Sequence, residues 1–202
     1  MFDPDREVEE KDPSPGERWI VLGFGAFIGL AFAADLLRDF SPAKLSVPLM
    51  LLFWAPLLVL HESGHALAAR GLGWRVEGIV LGFGRVWRRI EVSGIPVELR
   101  TLPVEGFVTS GPLEGQGGRA GEAFVYFAGP GIELLLAAAL LVWLGPERLL
   151  ARADDLPTIA WQSLALAAVL GAVLNLIPHS TIRDGAELPN DGLGILWALF
   201  GR

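Results

Sequence analysis

Four long apolar runs, separated by polar segments, dominate the pattern of the chain. They cover residues 19–37, 47–69, 123–144 and 158–177. A helix that crosses a bilayer needs about 20 apolar residues. Lipid offers no hydrogen-bond partner to backbone N–H and C=O groups, so a segment that crosses it must form a helix to pair them. We therefore predict four transmembrane helices at these positions. A fifth apolar run, residues 193–200, is too short to cross and is expected at the interface or against the bundle.

A different pattern separates the second and third runs. Residues 70–121 carry seven arginines and several glycines, and the passage VWRRIEVSGIPVELRTL alternates between apolar and polar residues. Alternation with a period of two predicts strands, and the segment Ser93-Gly94-Ile95-Pro96 suits a hairpin turn. We predict a small β region over about residues 75–108 at the membrane surface. The alternative is an exposed basic loop.

Composition supports a membrane protein. Of the 202 residues, 52% are hydrophobic and 19% are charged, which is too apolar for an ordinary soluble domain. The chain has no cysteine, so it can form neither a disulfide nor a thiolate metal site. No basic patch with interleaved aromatic residues indicates a nucleic-acid partner. The predicted fold class is a mainly α, polytopic membrane protein in a lipid bilayer, and the residues determine no oligomeric state.

The distribution of charge predicts the orientation. Residues 1–18 hold seven acidic and three basic residues, which is typical of a disordered acidic tail, and residues 19–202 form the predicted membrane domain. With the N-terminus inside, the inner segments hold 12 lysines and arginines and the outer loops hold four. This bias predicts a multi-pass protein of the cell membrane, and of the cytoplasmic membrane in a bacterium. It also locates the polar end of the second span at the cytoplasmic face.

The second run contains the motif His-Glu-x-x-His, as His61-Glu62-Ser63-Gly64-His65. Residues four apart share one face of a helix, so the two imidazoles can bind one ion while the glutamate reaches the water beside it. Zinc lowers the pKa of such a water towards ~7, and the glutamate accepts its proton. An uncompensated glutamate deep in a span costs about 2.5–3.5 kcal/mol, which favours a functional role. We predict a zinc site here.

A third ligand is needed, because catalytic zinc normally has three ligands from the protein and one open position. Three candidates follow the fourth apolar run, where the chain returns to the membrane face of His65. They are His179, Asp184 and Asp191. The residues alone leave this choice open.

Four motifs, in the order in which they occur along the chain, resemble those of the site-2 protease type of intramembrane zinc metallopeptidase. HESGHALAARGLG is similar to the zinc-binding helix, and VLGFGRVWRRIEVSGIPVELRTLPVEGFV is similar to the membrane-associated β region. FAGPGIELLLA resembles the Ala-Gly-Pro helix, and NLIP followed by Asp-Gly resembles the segment that carries the third ligand. The resemblance covers about residues 57–199. It implies hydrolysis of peptide bonds in or near transmembrane segments of membrane-protein substrates, as in regulated intramembrane proteolysis.

The resemblance also implies roles for individual residues. His61 and His65 become zinc ligands, Glu62 the general base and Asn175 a residue that holds the substrate. Asp191 is the favoured third ligand, because an apolar helix-like run follows it as in the family, and Asp184 is the alternative.

Two positions depart from the family pattern. Glu105 stands where a glycine is frequent before Gly106. Glu133 stands where the family often has asparagine. It is either a carboxyl near the site or a hydrogen-bonding residue of the interior.

Substrate binding is expected at the β region. A helix must unwind before it is cut, and an unwound segment can add as a strand to a sheet edge within residues 76–108. Gly82 and Gly84 would let the two backbones approach closely.

Other functions fit the residues less well. The main alternative is a non-catalytic membrane scaffold or binding protein that retains the peptidase fold, which the intact motif argues against. A membrane di-iron enzyme needs more than three histidines, and a zinc transporter needs polar residues along several spans.

Overall fold

The computed structural model describes residues 15–38, 40–113, 117–183 and 186–201. Helices and strands alternate in blocks along the chain. In order they are α1 (Pro15–Arg38), a short 3-10 helix (Pro42–Leu45), α2 (Ser46–Gly71), β1 (Arg75–Val92), β2 (Ile95–Gly111), α3 (Arg119–Leu144), α4 (Pro146–Leu150), α5 (Leu156–Leu176), β3 (Ser180–Arg183), β4 (Ala186–Pro189) and α6 (Asp191–Phe200).

Three helices among the described residues are long and apolar enough to cross a membrane. They are α2 with its 3-10 extension (Pro42–Gly71), α3 and α5, and they coincide with the second, third and fourth predicted spans. The first apolar run lies in α1, and its crossing of the bilayer stays a prediction. The predicted acidic tail falls mostly on residues 1–14, which lie outside the described residues. The fifth run forms α6, a short apolar helix.

The β region lies between α2 and α3 and consists of β1 and β2, paired antiparallel. It extends to Gly111, beyond the predicted end at residue 108, and it replaces the alternative of a basic loop. The turn falls at Ser93 and Gly94, whose φ angles are 53° and 79°. Residues 79–81 of β1 each have two partners in β2, one within residues 97–99 and one within 106–108. This part of β1 therefore lies between two segments of β2.

The membrane helices pack closely through small residues. A Cβ atom at Gly64 of α2 would lie 2.5 Å from the carbonyl oxygen of Ala128 in α3, so only glycine allows this approach. Leu57 of α2 is buried against Ala167 and Ala168 of α5. At the other end of the chain, a Cβ at Gly194 would lie 2.5 Å from the ring of Tyr126. Helix α6 therefore packs on α3, which brings its first residue towards α2.

Two elements of the second half were not predicted. One is the short helix α4, and the other is the hairpin of β3 and β4, in which Ser180 pairs with Pro189 and Thr181 with Leu188. The hairpin brings the chain back to the end of α5, so that α6 begins beside it.

Candidate active site

Three potential metal ligands converge from two distant segments of the chain. His61 and His65 project from α2, and Asp191 is the first residue of α6. His61 Nε2 lies 3.0 Å from Asp191 Oδ2, His65 Nε2 lies 3.3 Å from Asp191 Oδ1, and the two Nε2 atoms are 3.1 Å apart. Within the described residues, these three side chains are the group that could hold a metal ion.

Neither of the other two candidates for the third ligand belongs to this group among the described residues. His179 is exposed, and its Nδ1 lies 3.0 Å from the carbonyl oxygen of Ile177, outside the group of three. Asp184 lies outside the described residues. Of the three candidates that the sequence left open, the structure therefore brings Asp191 to the histidines.

The partners of the two imidazoles leave both Nε2 atoms available to a metal. His65 Nδ1 lies 2.7 Å from the carbonyl oxygen of Val125. A carbonyl only accepts, so Nδ1 carries the hydrogen and Nε2 a lone pair. His61 Nδ1 lies 3.1 Å from Glu133 Oε2 and donates in the same way to a carboxylate. Two nitrogen lone pairs and a carboxylate then face one point. A divalent cation at that point would pair with all three groups. Two imidazoles and a carboxylate form a typical donor set for zinc.

Glu133 lies near the site and also forms a hydrogen bond in the interior, so its position agrees with both of the roles considered for it. It is buried, with 3% of its surface exposed, and it contacts the site through His61. Space for its carboxylate comes from α5, because a Cβ at Gly171 would lie 2.9 Å from Glu133 Oε1. A carboxylate bound to the outer nitrogen of a ligand histidine fixes the ring orientation and raises its basicity.

Gly129 of α3 leaves the room that a metal would need. A Cβ atom at this position would collide with Nε2 of His65 and lie 2.6 Å from Nε2 of His61. The backbone of α3 therefore passes directly over the two Nε2 atoms, and any side chain larger than hydrogen would enter the space between them.

Glu62 faces the same interior and has an unusual environment. It is 3% exposed, and its Oε2 is buried without a hydrogen-bond partner, a condition shared among the described side chains only with Arg100 Nε. Leaving a buried acceptor unsatisfied costs about 1–3 kcal/mol. Its other oxygen lies against β2, because a Cβ at Gly106 would be 2.7 Å from Glu62 Oε1. An orphaned carboxylate oxygen beside a metal-ligand set is suited to bind water.

A cavity of about 850 Å³ connects these groups. Its lining includes Glu62, the three potential ligands and Asn175 of α5, whose Nδ2 donates to the carbonyl oxygen of Gly171 at 3.1 Å. Residues 104–110 of β2 form one wall, and His179, Thr181 and residues 188–190 form another.

Gly82 and Gly84 are not among the residues that line this cavity. Their φ angles are 101° and 83°. A Cβ at Gly82 would be 2.8 Å from the carbonyl oxygen of Leu102, so the close backbone approach at Gly82 is to the chain's own β2 strand.

Asp191 lies outside the candidate spans. Burial alone raises the pKa of its carboxyl. In the absence of a metal, when His61 and His65 can carry hydrogens on Nε2 and donate them to Asp191, those hydrogen bonds outweigh burial and lower that pKa below its ordinary value. The carboxylate form, which a metal requires, is therefore favoured.

Two residues of the site were not predicted. Gly129 lies within the Ala-Gly-Pro segment that the sequence singled out, although its contact with the histidines depends on helix packing. Asn190 precedes the apolar run of α6, and an asparagine in that position is a signal for a helix N-cap. Its side chain accepts from Leu193 N at 3.1 Å.

Comparison with known proteins identifies the family. The profile of peptidase family M50 matches residues 49–149, half of the chain. A Campylobacter jejuni protein named as a zinc metalloprotease is 35% identical over 126 residues, which cover 54% of this chain and 33% of the relative. The membrane metalloprotease ARASP of Arabidopsis thaliana is 38% identical over 52 residues, 26% of this chain and 12% of the relative.

A third relative is the regulator of sigma-E protease of Escherichia coli. It is 40% identical over 53 residues, 26% of this chain and 12% of the relative. The chain thus spans about a third, or less, of the length of these relatives. Because the family profile covers half of the chain and the relatives carry protease names, the chain belongs to peptidase family M50, the site-2 protease family.

Proposed function

We propose that this chain is an intramembrane zinc metalloprotease that hydrolyses peptide bonds in or near transmembrane segments of membrane proteins. The observation that carries the proposal is the convergence of His61, His65 and Asp191 beside Glu62, whose Oε2 is buried and unpaired. The names of the relatives, a zinc metalloprotease and a regulator of sigma-E protease, support it.

In this proposal the two Nε2 atoms and the Asp191 carboxylate hold zinc. The outer nitrogens of the rings are fixed by Glu133 and by the carbonyl oxygen of Val125, and such outer contacts orient ligand histidines. A bound zinc ion supplies Lewis-acid chemistry, since it polarises a carbonyl and makes water more acidic.

Glu62 is the proton carrier of the reaction. Its unpaired Oε2 accepts a proton from the attacking water, whose oxygen forms a bond to the scissile carbonyl carbon. The same carboxyl then gives the proton to the amide nitrogen as the C–N bond breaks. A positioned general base of this kind contributes about 10²–10⁴-fold to the rate.

Substrate must reach this carboxylate in an extended form, because a helix hides each carbonyl in an i to i−4 hydrogen bond. Residues 104–110 of β2 line the cavity, and Gly106 rests on Glu62. We propose that an unwound substrate segment lies along this part of β2 as an added strand. Asn175, which lines the facing side, contacts the substrate. The expected role of Gly82 and Gly84, which is to let a substrate backbone approach closely, stays a prediction.

The proposed location is the cell membrane, with the active site near the cytoplasmic face. Support comes from the 12 lysines and arginines on the inner segments against four on the outer loops. A protease at that site would release cytoplasmic segments of its substrates, as in regulated intramembrane proteolysis.

The substitution Glu62→Gln tests the function. It removes the base but keeps the shape of the side chain, so the full chain should bind zinc as before and lose cleavage of membrane proteins with which it is co-expressed. Uncleaved substrates should accumulate on the variant, where mass spectrometry can identify them. Glu91→Gln, at an exposed position of β1, is the matched control and should cleave normally.

Retained cleavage by the Glu62→Gln variant would remove the hydrolytic role. A scaffold would instead hold the same membrane proteins in the same amounts with glutamate or glutamine at position 62.

Strand addition has its own test, which uses the absence of cysteine from the chain. In the Glu62→Gln background, Thr109→Cys on the cavity wall should form a disulfide with a cysteine in the unwound segment of a trapped substrate. Trp87→Cys, an exposed residue of β1 outside the cavity lining, should not. Equal cross-linking at the two positions would contradict docking along β2.

A further inference from the structure

Asn190 lies at a junction of three segments, the end of α5, the base of the β3–β4 hairpin and the start of α6. Its Nδ2 donates to the carbonyl oxygens of Asn175 at 2.8 Å and Ile177 at 2.7 Å. Its Oδ1 accepts from His179 N at 3.0 Å and Leu193 N at 3.1 Å. An asparagine amide has two donor hydrogens and two acceptor sites. All four are used, and only this orientation of the amide pairs them.

The two carbonyls need an external partner because of where α5 ends. Ile177 precedes Pro178 and is extended, with a ψ of 114°, so the helix cannot continue. The last carbonyls of a helix have no partner within it. Asn190 supplies one to Asn175 and another to Ile177, and thereby ties the end of α5 to the residue that caps α6.

This junction determines where the third metal-ligand candidate lies. Asp191 directly follows Asn190 and is the first residue of α6. The next residue, Gly192, is pressed against the carbonyl oxygen of Leu176, where a Cβ would collide. The backbone on both sides of Asp191 is therefore fixed to the end of α5, while its carboxylate reaches His61, 130 residues earlier in the chain.

We propose that Asn190 is a positioning residue that sets the carboxylate of Asp191 relative to the two histidine nitrogens. Asn190 forms no hydrogen bond with His61 or His65, so it acts through Asp191. The inference rests on the proposed function, because it assumes that His61, His65 and Asp191 bind a metal. Its consequence is that the Asn190 amide controls zinc affinity and the geometry around the ion.

A simple helix cap needs fewer hydrogen bonds than Asn190 forms. Asp155 caps α5 through one bond, from Thr158 N to its side chain at 2.9 Å, and it is not part of the cavity lining. Asp155→Ala is therefore a matched control that removes a cap without disturbing the junction.

Two variants remove the contacts of Asn190 in different ways. Asn190→Ser retains an oxygen that can cap α6 but is too short to bridge to α5. Asn190→Asp keeps the acceptor oxygens and sets a carboxylate against two carbonyls. Zinc affinity is measured on the purified full chain in detergent by competition with a chelator. The chain is also loaded with cobalt(II), whose visible absorption reports the geometry of its ligands.

Both Asn190 variants should bind zinc about 10–100-fold more weakly than the wild type, the range typical for the loss of a group that orients a metal ligand. Their cobalt spectra should differ from that of the wild type. Asp155→Ala should match the wild type in both measurements, even if its thermal unfolding temperature falls.

Wild-type zinc affinity and cobalt spectra in the Asn190 variants would overturn the proposal, and so would an equal loss of affinity in Asp155→Ala. Failure of both Asn190 variants to fold, when Asp155→Ala folds, would assign the residue to folding and also overturn it. Failure of the wild type to bind zinc would instead remove the proposed function itself.

Discussion

His61 and His65 are held at their outer nitrogens by chemically different groups. The partner of His65 is the backbone carbonyl of Val125, and the partner of His61 is the side chain of Glu133. Only the second partner can be changed by substitution. Carboxylate contacts of this kind tune metal affinity without touching the metal.

We therefore predict that Glu133→Ala lowers zinc affinity by about 10–100-fold. Glu133→Gln should lower it less, because an amide oxygen still accepts from His61 Nδ1 but carries no charge. Chelator competition on the purified chain measures both effects, with Glu147→Gln on exposed α4 as the control. Wild-type affinity in Glu133→Ala would show that the contact with His61 has no influence on the metal.

At the same scale, the site residues that could be predicted from the sequence are those that lie close together along the chain. His61, Glu62 and His65 lie within a little over one helical turn, so spacing alone brings them together. The third ligand depends on which distant segment returns to α2, and three candidates within 13 residues of sequence could not be separated by spacing. The packing of α6 on α3 is what brings Asp191 to the histidines.

Helix α3 shapes the site at the scale of elements. Its backbone at Gly129 lies against the Nε2 atoms of both histidines, although α3 contributes no potential ligand to the group of three. The close packing of α2 and α3, which Gly64 permits, therefore sets the volume available to an ion.

Gly129→Ala should abolish zinc binding, because the new methyl group occupies the place of the ion. Alanine is a better helix former than glycine by about 1 kcal/mol, so helical content measured by circular dichroism should be retained. Gly121→Ala in the same helix is the control, since its Cβ would make an ordinary contact at 3.4 Å with Leu72. Normal zinc binding by the Gly129→Ala variant would exclude the proposed position of the metal.

The elements that the sequence predicted are those with a long apolar run or a regular alternation of apolar and polar residues. Apolar runs identified α2, α3 and α5, and alternation identified β1 and β2. The β3–β4 hairpin has only four residues in each strand. An Asp-Gly pair, Asp184-Gly185, separates its strands in the sequence and is a common hairpin signal. The same pair resembles a ligand motif, which is why the hairpin was not predicted.

The whole molecule has the charge asymmetry of a protein with a fixed orientation in the membrane. The net charge is −7, and the basic residues are concentrated on one set of loops. Positive loops remain in the cytoplasm. The turn between β1 and β2 should therefore face the cytoplasm, and the segment between α4 and α5 should face the outside.

Single cysteines test this orientation, since the wild type has none. In intact cells, a thiol reagent that cannot cross membranes should label Asp154→Cys but not Ser93→Cys, and permeabilised cells should allow labelling of both. The cysteine-free wild type gives the background. Labelling of Ser93→Cys in intact cells would reverse the orientation and move the active site to the outer face.

At this scale, composition and hydropathy sufficed to predict a mainly α membrane protein with a small β region. They could not predict how α6 packs against the earlier helices. That arrangement depends on contacts between helices, such as Gly192 against Leu176 and Gly194 against Tyr126. Such contacts leave no periodic pattern in the sequence.

The most direct test is the metal content of the purified full chain after zinc is supplied and the excess is removed. The wild type should retain one zinc ion per chain, and Asp191→Ala should lose most of it. A wild type without zinc, or an Asp191→Ala variant that keeps as much as the wild type, would contradict a zinc site formed by His61, His65 and Asp191.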